Sequence, residues 1–189
     1  TLTAGAGDKL FGGAANDTFV YSSLATFIGQ GGNDVVTAAS STTGVYINLT
    51  DTALFSNVEY AIGSSLADTL RGTNSANSLS GGAGADFING RSGNDPLLGG
   101  AGADTFWFGK DEGNDVVTDV NAGGVRDKVM LYTALTPSDV TSIAATGTND
   151  LLITMGTGTL KITNGLNLTS DSSGIFMTQT GSHYNLRYN

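Results

Sequence analysis

The sequence contains no cysteine, two prolines and a single histidine, His183. The absence of cysteine excludes disulfide bridges, thiol catalysis and zinc–thiolate sites, and one histidine cannot build a histidine cluster for a transition metal. No apolar run approaches the ~20 residues of a membrane-spanning helix, so we expect no membrane span. Residues 1–5 also lack the basic and apolar regions of a signal peptide.

The acidic residues are nearly all aspartate. Fifteen Asp and two Glu stand against eight Lys and Arg, and the formal net charge is −9. Aspartate is a poor helix former but a good turn residue and a short oxygen ligand, so this bias indicates loops that bind hard cations. An acidic chain without a basic patch is a poor nucleic-acid binder. Because no G-x-S-x-G motif, no H-E-x-x-H motif and no second histidine exists, we expect no catalytic residues and no enzymatic activity.

Glycine accounts for 28 of the 189 residues and marks a repeat of nine residues. Five consecutive blocks cover residues 63–107: GSSLADTLR, GTNSANSLS, GGAGADFIN, GRSGNDPLL and GGAGADTFW. The first place is always Gly, the eighth is always apolar, and the sixth holds Asp68, Asn77, Asp86, Asp95 and Asp104. Less regular blocks precede this array with Asp8, Asp17 and Asp34 in the sixth place, and KDEGNDVVT follows it with Asp115. A fixed internal period predicts a solenoid.

Nine residues suit a six-residue, Gly-rich turn followed by a strand of about three residues whose middle side chain points inward. Two such units make a coil of eighteen residues, and consecutive coils pair as parallel strands about 4.8 Å apart. Side chains eighteen residues apart therefore stack, as Asp68, Asp86 and Asp104 do in the sequence. Stacked carboxylates repel each other, and a divalent cation between them converts this repulsion into binding energy. The spacing thus predicts metal sites.

We predict a parallel β-roll over residues 1–120 and a C-terminal β cap over residues 121–189. The roll should contain two groups of nonapeptide repeats, 3–37 and 63–118, joined by irregular rungs over residues 38–62 that we expect to be longer and without a bound cation. After residue 121, short apolar or alternating segments between turn residues predict an antiparallel cap, which covers the last rung of the solenoid. Pro96 departs from the pattern because it removes a hydrogen-bond donor from an interior strand.

The blocks GGAGADFIN and GGAGADTFW match the nonapeptide G-G-x-G-x-D-x-U-x at every defined position. The chain thus resembles the repeats-in-toxin (RTX), or hemolysin-type, calcium-binding repeat family. Residues 104–165 resemble the segment that closes the repeat domains of serralysin-like proteases, lipases and large adhesins. The resemblance implies an all-β fold: a right-handed parallel β-roll, that is, a calcium-binding β-solenoid, with a C-terminal antiparallel β cap.

The resemblance also implies a ligand set for several Ca²⁺ ions. Each ion takes the carbonyls of places two and four and the Asp of one turn, and the carbonyls of places one and three and the Asp of the next coil. One such set is Gly82, Gly84 and Asp86 with Gly99, Ala101 and Asp104, and the set below it is Ser64, Leu66 and Asp68 with Gly81, Ala83 and Asp86. Across the roll the sets are Thr73, Ser75 and Asn77 with Gly90, Ser92 and Asp95, and Arg91, Gly93 and Asp95 with residues near Asp111 and Asp115. In the leading group the set is Gly13, Ala15 and Asp17 with Gly29, Gly31 and Asp34.

The function implied by the resemblance is that of a calcium-binding module of a secreted bacterial protein. Such modules fold on extracellular calcium and support stability and secretion through a type I machinery guided by a carboxy-terminal signal. An alternative is a structural or adhesive subunit of a surface layer, matrix or filament that assembles with calcium, by self-association or by binding surface polysaccharide. For Phe106, Trp107 and Phe108, core and end-cap packing is weighed against a sugar-binding platform. Either function places the chain outside the cell or at its surface.

Overall fold

The computed structural model describes residues 1–119, 127–131, 139–146, 150–163, 175–180 and 183–188. Within these ranges all regular secondary structure is β-strand. The described part of the chain has no helix that is long and apolar enough to cross a membrane. The all-β prediction is confirmed.

The strands of the roll are β1 (Leu2–Thr3), β2 (Lys9–Gly13), β3 (Thr18–Val20), β4 (Thr26–Gln30), β5 (Val35–Thr37), β6 (Tyr46–Asn48), β7 (Phe55–Ser56), β8 (Tyr60–Ile62), β9 (Thr69–Arg71), β10 (Ser78–Ala83), β11 (Phe87–Asn89), β12 (Pro96–Ala101), β13 (Thr105–Phe108) and β14 (Asn114–Val117). The strands that follow are β15 (Lys128–Leu131), β16 (Val140–Thr146), β17 (Asp150–Met155), β18 (Gly158–Ile162), β19 (Ile175–Thr180) and β20 (His183–Tyr188).

Successive coils stack into two walls of parallel strands. The first wall has the order β1-β3-β5-β8-β10-β12-β14. The second wall begins as the sheet β2-β4-β7 and continues as the sheet β6-β9-β11-β13-β15. In the main array Leu79 lies opposite Leu97, and Ile88 lies opposite Phe106. The register therefore advances eighteen residues per coil, as the nonapeptide period predicts.

The hydrophobic core is the narrow space between the two walls. The eighth-place side chains of the main array fill it and are each at most 1% exposed: Leu70, Leu79, Ile88, Leu97 and Phe106. Phe19, Phe27, Val36 and Ile47 continue the core through the earlier coils. Burying one such side chain contributes roughly 1.5–3 kcal/mol, and each coil adds only a few of them. The core of the roll is thus thin, and we expect interactions in the turns to contribute much of the stability of the fold.

Residues 38–62 form one longer coil of the same roll. Val36 in β5 lies opposite Ala61 in β8, so the register advances 25 residues here. This coil contains both β6 and β7, and the second wall changes from one sheet to the other at these strands. The expected irregular rungs are therefore present as paired strands, and whether they lack calcium stays a prediction.

Pro96 is the exposed first residue of β12. In the neighbouring coils, the residue after the sixth place donates its N–H to the sixth-place carbonyl of the preceding coil, for example Phe87 to Asp68 and Thr105 to Asp86. Pro96 has no N–H and interrupts this series by one bond. The outward position and the strand start are where a β-sheet tolerates proline.

An antiparallel extension follows each wall, and the predicted cap is confirmed in the described residues. β18 pairs parallel with β14 and then leads into the antiparallel strands β17 and β16. β15 pairs parallel with β13 and leads into the antiparallel strands β20 and β19. Ile153, Met155, Leu160 and Ile162 of the first extension are buried and prolong the core. Residues 120–126 lie outside the described residues, so the boundary at 120/121 stays a prediction, as does the secretion signal.

Candidate metal sites in the turns

The sixth-place residues of the repeats stack in two columns, one on each side of the roll. The Asp86 column consists of Asp68, Asp86 and Asp104 and is continued by Asp127, which directly precedes β15. The Asp95 column consists of Asp17, Asp34, Glu59, Asn77, Asp95 and Asp115. The stacking that the spacing predicted is therefore observed, and it extends to two acidic residues outside the repeats, Glu59 and Asp127.

In the column carboxylates that follow Asp17, one oxygen accepts a backbone N–H of the preceding coil. The Asp68 N–H donates to Oδ1 of Asp86 at 2.8 Å, and the Asp86 N–H donates to Oδ1 of Asp104 at 2.9 Å. In the other column, the Asp95 N–H donates to Oδ1 of Asp115 at 3.0 Å and the Asp17 N–H to Oδ1 of Asp34 at 2.7 Å. These bonds fix the orientation of the carboxylates that accept them.

The second oxygen of four of these carboxylates is not held by any hydrogen bond. Oδ2 of Asp34, Asp86, Asp95 and Asp104 is buried and has no hydrogen-bond partner, although each of these residues is at most 2% exposed. An unpaired carboxylate oxygen out of contact with water is strongly unfavourable unless a cation or a proton balances it. A cation or a proton bound at these four oxygen atoms would therefore stabilise the fold most.

Burial raises the pKa of Asp86 to about 7, and the charges of Asp104 and Asp68 act in the same direction against the Asp68 N–H bond, which lowers it. Burial likewise raises the pKa of Asp95 to about 7 and that of Asp115 to about 8. Burial also raises the pKa of Asp104, and the negative charge of Asp119 raises it further. With these raised pKa values, a cation that binds beside Asp86, Asp95 or Asp115 near neutral pH would displace protons.

Backbone carbonyls complete the surroundings of these oxygens. A Cβ at Gly81 would lie within 3.0 Å of both Asp86 Oδ2 and the Gly99 carbonyl oxygen, so these two oxygens converge on one place. The carbonyls of Gly82 and Gly84 face Gly100 and Gly102 of the next coil so closely that a side chain at either glycine would collide with them. The carbonyls at places two and four of one turn thus face the next turn.

The donor set fits calcium. No group of three or more His, Cys, Asp or Glu side chains that could hold a metal occurs in the described ranges. A cation between two turns would consequently take two carboxylates and several carbonyls. Ca²⁺ accepts six to eight oxygen ligands in flexible geometry and uses backbone carbonyls readily. Soft metals, which prefer thiolate or imidazole, have no ligands here.

The structure brings residues of the predicted sets close together, with the exception of Asp111. The Gly84 N–H donates to the Ala101 carbonyl, the Ala83 N–H to the Ser64 carbonyl and the Gly31 N–H to the Gly13 carbonyl. A Cβ at Gly93 would meet the Ser75 carbonyl, one at Gly32 the Ala15 carbonyl, and one at Gly72 the Gly90 carbonyl. Leu66 faces Gly84 in the same way. Ser92 lies half-buried in the turn between Arg91 and Gly93. Whether these residues bind an ion stays a prediction.

Two turns of the main array satisfy their sixth-place side chain without a metal. Asp68 accepts bonds from the Ser64 N–H at 2.5 Å and from the Ser64 hydroxyl at 3.0 Å. Asn77 accepts the same pair of bonds from the Thr73 N–H at 2.6 Å and the Thr73 hydroxyl at 2.9 Å. These are the turns in which Leu66 and Asn77 depart from the nonapeptide pattern. The sequence signal is a hydroxyl residue in the second place.

The last turns involve acidic residues that the sequence reasoning missed. Asp119 accepts the N–H groups of Gly99 at 3.0 Å and Gly100 at 2.8 Å, and Asp127 accepts the Asp104 N–H at 2.7 Å. The charge of Glu112 raises the pKa of both Asp95 and Asp115. Because the bonded residues are 20, 19 and 23 positions apart in the sequence, the eighteen-residue period could not locate these partners.

Asp111, predicted to lie near the last site of the Asp95 column, is bound elsewhere. Its carboxylate accepts the N–H of Thr157 at 2.6 Å and the Thr157 hydroxyl at 2.7 Å, and these bonds lower its pKa. It therefore ties the roll to the turn between β17 and β18. Glu112 is the acidic residue that acts on Asp95 from this turn.

The aromatic triplet Phe106, Trp107 and Phe108, at the end of the array, is mainly structural. Phe106 and Phe108 are at most 1% exposed and lie in the core. Trp107 is half-buried on the outer face, where its ring packs 5.2 Å from that of Phe87. Packing thus accounts for two of the three rings.

Comparison with known proteins gives three findings. Residues 1–23 and 62–97 match the RTX calcium-binding nonapeptide repeat (4 copies). No curated protein shows significant sequence similarity to the chain. Among 29 matching chains of solved structures is the extracellular lipase LipA from Serratia marcescens, with 15% sequence identity and a TM-score of 0.33. That match covers 84% of this chain and 37% of the lipase chain, so the chain spans little more than a third of the lipase's length.

Proposed function

We propose that this chain, which carries RTX calcium-binding nonapeptide repeats at residues 1–23 and 62–97, is the calcium-folded module of a secreted bacterial protein. The proposal depends on one observation above all. Four buried carboxylate oxygens in two stacked columns have no hydrogen-bond partner, and those of Asp34 and Asp86 lie beside a backbone carbonyl oxygen of the next coil. Protein groups already hold the other oxygen of each carboxylate, so the turns are arranged for a cation before one binds.

Calcium between two turns supplies the positive charge that the stacked carboxylates lack. The chain's own part is to hold the oxygens in place, through the N–H ladder of the columns and the glycines that allow successive turns to approach. In the site we favour most, Asp86 and Asp104 provide carboxylate oxygens, and Gly82, Gly84, Gly99 and Ala101 provide carbonyls. The other sets predicted from the sequence are proposed in the same way, with fewer consensus ligands.

The same arrangement makes folding depend on calcium. Without calcium, the folded chain carries buried, uncompensated carboxylates and a net charge of −9 over a thin core. A ligand that binds only the folded state stabilises it by RT ln(1 + [L]/Kd). Extracellular calcium sites have Kd values of about 10⁻⁴–10⁻³ M, so the millimolar calcium outside a cell stabilises the fold, whereas the low calcium inside leaves it disfavoured.

This dependence suits secretion in an unfolded state through a type I machinery, followed by folding outside the cell. In this proposal the module is non-catalytic and stabilises the protein of which it is part. Its direct partner is calcium, and its location is extracellular or at the cell surface.

The test is a calcium titration of the purified chain after chelation, followed by far-UV circular dichroism and light scattering, with magnesium as the control. The expected result is a transition to β-structure at sub-millimolar to millimolar calcium, absent with magnesium and without growth in particle size. Growth in size during the same transition would favour the calcium-assembled structural or adhesive subunit instead. A chain that has the same β-structure in chelator and in calcium would refute calcium-dependent folding.

A further inference from the structure

We propose that Glu59 completes an additional calcium site, together with Asp34 and the carbonyl of Asn57, at the junction between the leading repeats and the longer coil of residues 38–62. This inference rests on the proposed calcium-dependent function. It concerns a segment that contains no nonapeptide and that we expected to be free of calcium.

Glu59 occupies a sixth place of the Asp95 column although it belongs to no repeat. Tyr60 lies opposite Val35 on one side and opposite Ser78 on the other, which places Glu59 between Asp34 and Asn77. The Asp34 N–H donates to Oε2 of Glu59 at 2.8 Å. This is the bond that Asp86 makes with Asp104 in the main array, so Glu59 holds its coil to the previous one as a repeat aspartate does.

An unpaired oxygen points to a ligand at this junction. Asp34 is 0% exposed, and its Oδ2 has no hydrogen-bond partner. A Cβ at Gly29 would lie within 3.0 Å of both Asp34 Oδ2 and the Asn57 carbonyl oxygen. The same two contacts occur at Gly81, with Asp86 Oδ2 and the Gly99 carbonyl. Asn57 therefore supplies the carbonyl that the first place of a repeat supplies elsewhere.

The local backbone explains why a glutamate stands here. Asn57 and Glu59 are only two residues apart, whereas Gly99 and Asp104 are five apart. The N–H groups of Glu59 and Tyr60 both donate to the Asp34 carbonyl, so the turn before β8 is tighter than the turns of the repeats. The additional methylene of glutamate extends the carboxylate to the Asp34 N–H. Asn57 has a φ of 52° and donates its side-chain N–H to the Gln30 carbonyl at 3.0 Å, which fixes the shortened turn.

The shortened turn also sets the expected strength of this site. Between Asn57 and Glu59 there is no third-place carbonyl, so the site offers fewer oxygens than the one between Asp86 and Asp104. We therefore expect it to fill at higher calcium than the main array. Once filled, it joins the leading repeats to the long coil, so that order spreads from the main array towards the amino terminus.

The experiment compares Glu59→Gln with Asp51→Asn in the full chain. Glutamine keeps an oxygen for the Asp34 N–H but removes the charge. Asp51 is exposed in the same coil, where it accepts the Ala53 N–H at 3.1 Å, so its replacement gives the same charge change away from the site. Bound calcium is counted by native mass spectrometry, and amide hydrogen exchange of residues 29–37 and 81–104 is followed in millimolar calcium and in chelator with the osmolyte TMAO, which keeps the calcium-free fold populated.

We expect Glu59→Gln to bind one calcium fewer than the wild type and to lose the calcium-dependent protection of residues 29–37, while residues 81–104 keep theirs. Asp51→Asn should behave as the wild type. An unchanged calcium count in Glu59→Gln would overturn the Glu59 site alone. Equal loss of protection at residues 29–37 in chelator and in calcium would also overturn it, because the role of Glu59 would then be a hydrogen bond only. A wild type that binds no calcium would instead refute the proposed function itself.

Discussion

The turns of the main array fall into two groups that differ in the hydrogen bonds of the sixth-place side chain. The first group is the pair 63–68 and 72–77, and the second contains the three turns 81–86, 90–95 and 99–104. In the first pair, Ser64 and Thr73 donate hydroxyl and amide hydrogens to it. In the other three, one carboxylate oxygen has no partner. We call the first kind closed turns and the second kind open turns.

The backbone separates the two kinds as well. In the open turns the second and fourth places have positive φ angles: Gly82, Gly84, Arg91, Gly93, Gly100 and Gly102. The corresponding residues of the closed turns are Ser64, Leu66, Thr73 and Ser75, and none of these described residues has a positive φ. We therefore propose that a hydroxyl in the second place and a cation are alternative ways to satisfy the sixth-place side chain, and we expect the open turns to depend on calcium more strongly than the closed turns do.

The largest expected effect comes from placing a side chain at the fourth place of an open turn. Gly102 has a φ of 147°, and a Cβ there would collide with the Gly84 carbonyl oxygen. Gly102→Ala should destabilise the calcium-bound roll by roughly 3 kcal/mol or more. Leu66→Ala changes the fourth place of a closed turn, where the side chain is 42% exposed, and should cost less than about 1 kcal/mol. Urea unfolding in millimolar calcium measures both, and equal losses would remove the distinction between the two kinds of turn.

The next effect is that of pH on the calcium-free chain. Burial raises the pKa of Asp86 and Asp95 to about 7 from an ordinary value of 3.8. The folded state therefore binds more protons than the unfolded state between these values. The resulting stability is fully present below 3.8 and is lost as the pH rises through about 7.

In chelator, the free energy of unfolding should thus fall by on the order of 2 kcal/mol between about pH 5 and pH 8.5. Urea unfolding with a fixed amount of the osmolyte TMAO, which keeps the fold populated, measures the change. Saturating calcium should remove most of it, because the ion displaces the protons. A calcium-free stability that rises with pH would contradict the assignment of the open carboxylates.

A pair of charge-removing variants should act with opposite signs in chelator. In Asp86→Asn, Oδ1 still accepts the Asp68 N–H, and the new amide replaces the unpaired oxygen next to the Gly99 carbonyl, so the calcium-free roll should gain roughly 1 kcal/mol. In the wild type, the two carboxylate oxygens of Asp68 accept the N–H groups of Val45 and Ser64. In Asp68→Asn, the side-chain NH2 group would face one of these two donors. The calcium-free roll should then lose roughly 1–2 kcal/mol.

Calcium should reverse the order of the two variants. Asp86→Asn should raise the calcium midpoint about tenfold, equivalent to about 1.4 kcal/mol, and Asp68→Asn should raise it less. Calcium titrations followed by circular dichroism at about pH 8.5, where the carboxyls are ionised, give the midpoints. If both variants destabilised the calcium-free roll equally, Asp68 and Asp86 would not differ as closed and open turns.

The sequence alone predicts those parts of the fold that repeat with a constant period. Because every block from 63 to 107 has nine residues, simple spacing placed Asp68, Asp86 and Asp104 in one stack and Leu97 in the core. It failed where the coil length changes. Glu59 joins the Asp95 column only because a 25-residue coil brings β8 next to β5, and packing between the walls, not local pattern, decides that register. The place of Asp127 in the Asp86 column could not be predicted either, because Asp104 and Asp127 are 23 residues apart instead of 18.

The distinction between closed and open turns was also out of reach of the spacing. Leu66 and Asn77 depart from the nonapeptide at the fourth and sixth places, and both lie in closed turns. That Ser64 and Thr73 would turn their hydroxyls inward depends on side-chain geometry and on the backbone conformation of the turn. A hydroxyl next to glycine in a repeat is compatible with either an exposed or a bonded rotamer, so composition and period do not decide between them.

The smallest expected effect belongs to the hydroxyl of a closed turn. Ser64→Ala removes the hydroxyl bonds to Asp68 and the bond from the Leu66 N–H to the Ser64 hydroxyl, at 3.1 Å, but keeps the Ser64 N–H bond to Asp68. The calcium-free roll should lose roughly 1 kcal/mol, measured with urea at about pH 5, where protonated carboxyls favour the fold. Ser65→Ala changes an exposed neighbour and is the matched control. The calcium midpoint should shift less than about twofold, since no open turn is altered. A large shift would mean that the closed turns also depend on calcium, and the array would then be uniform.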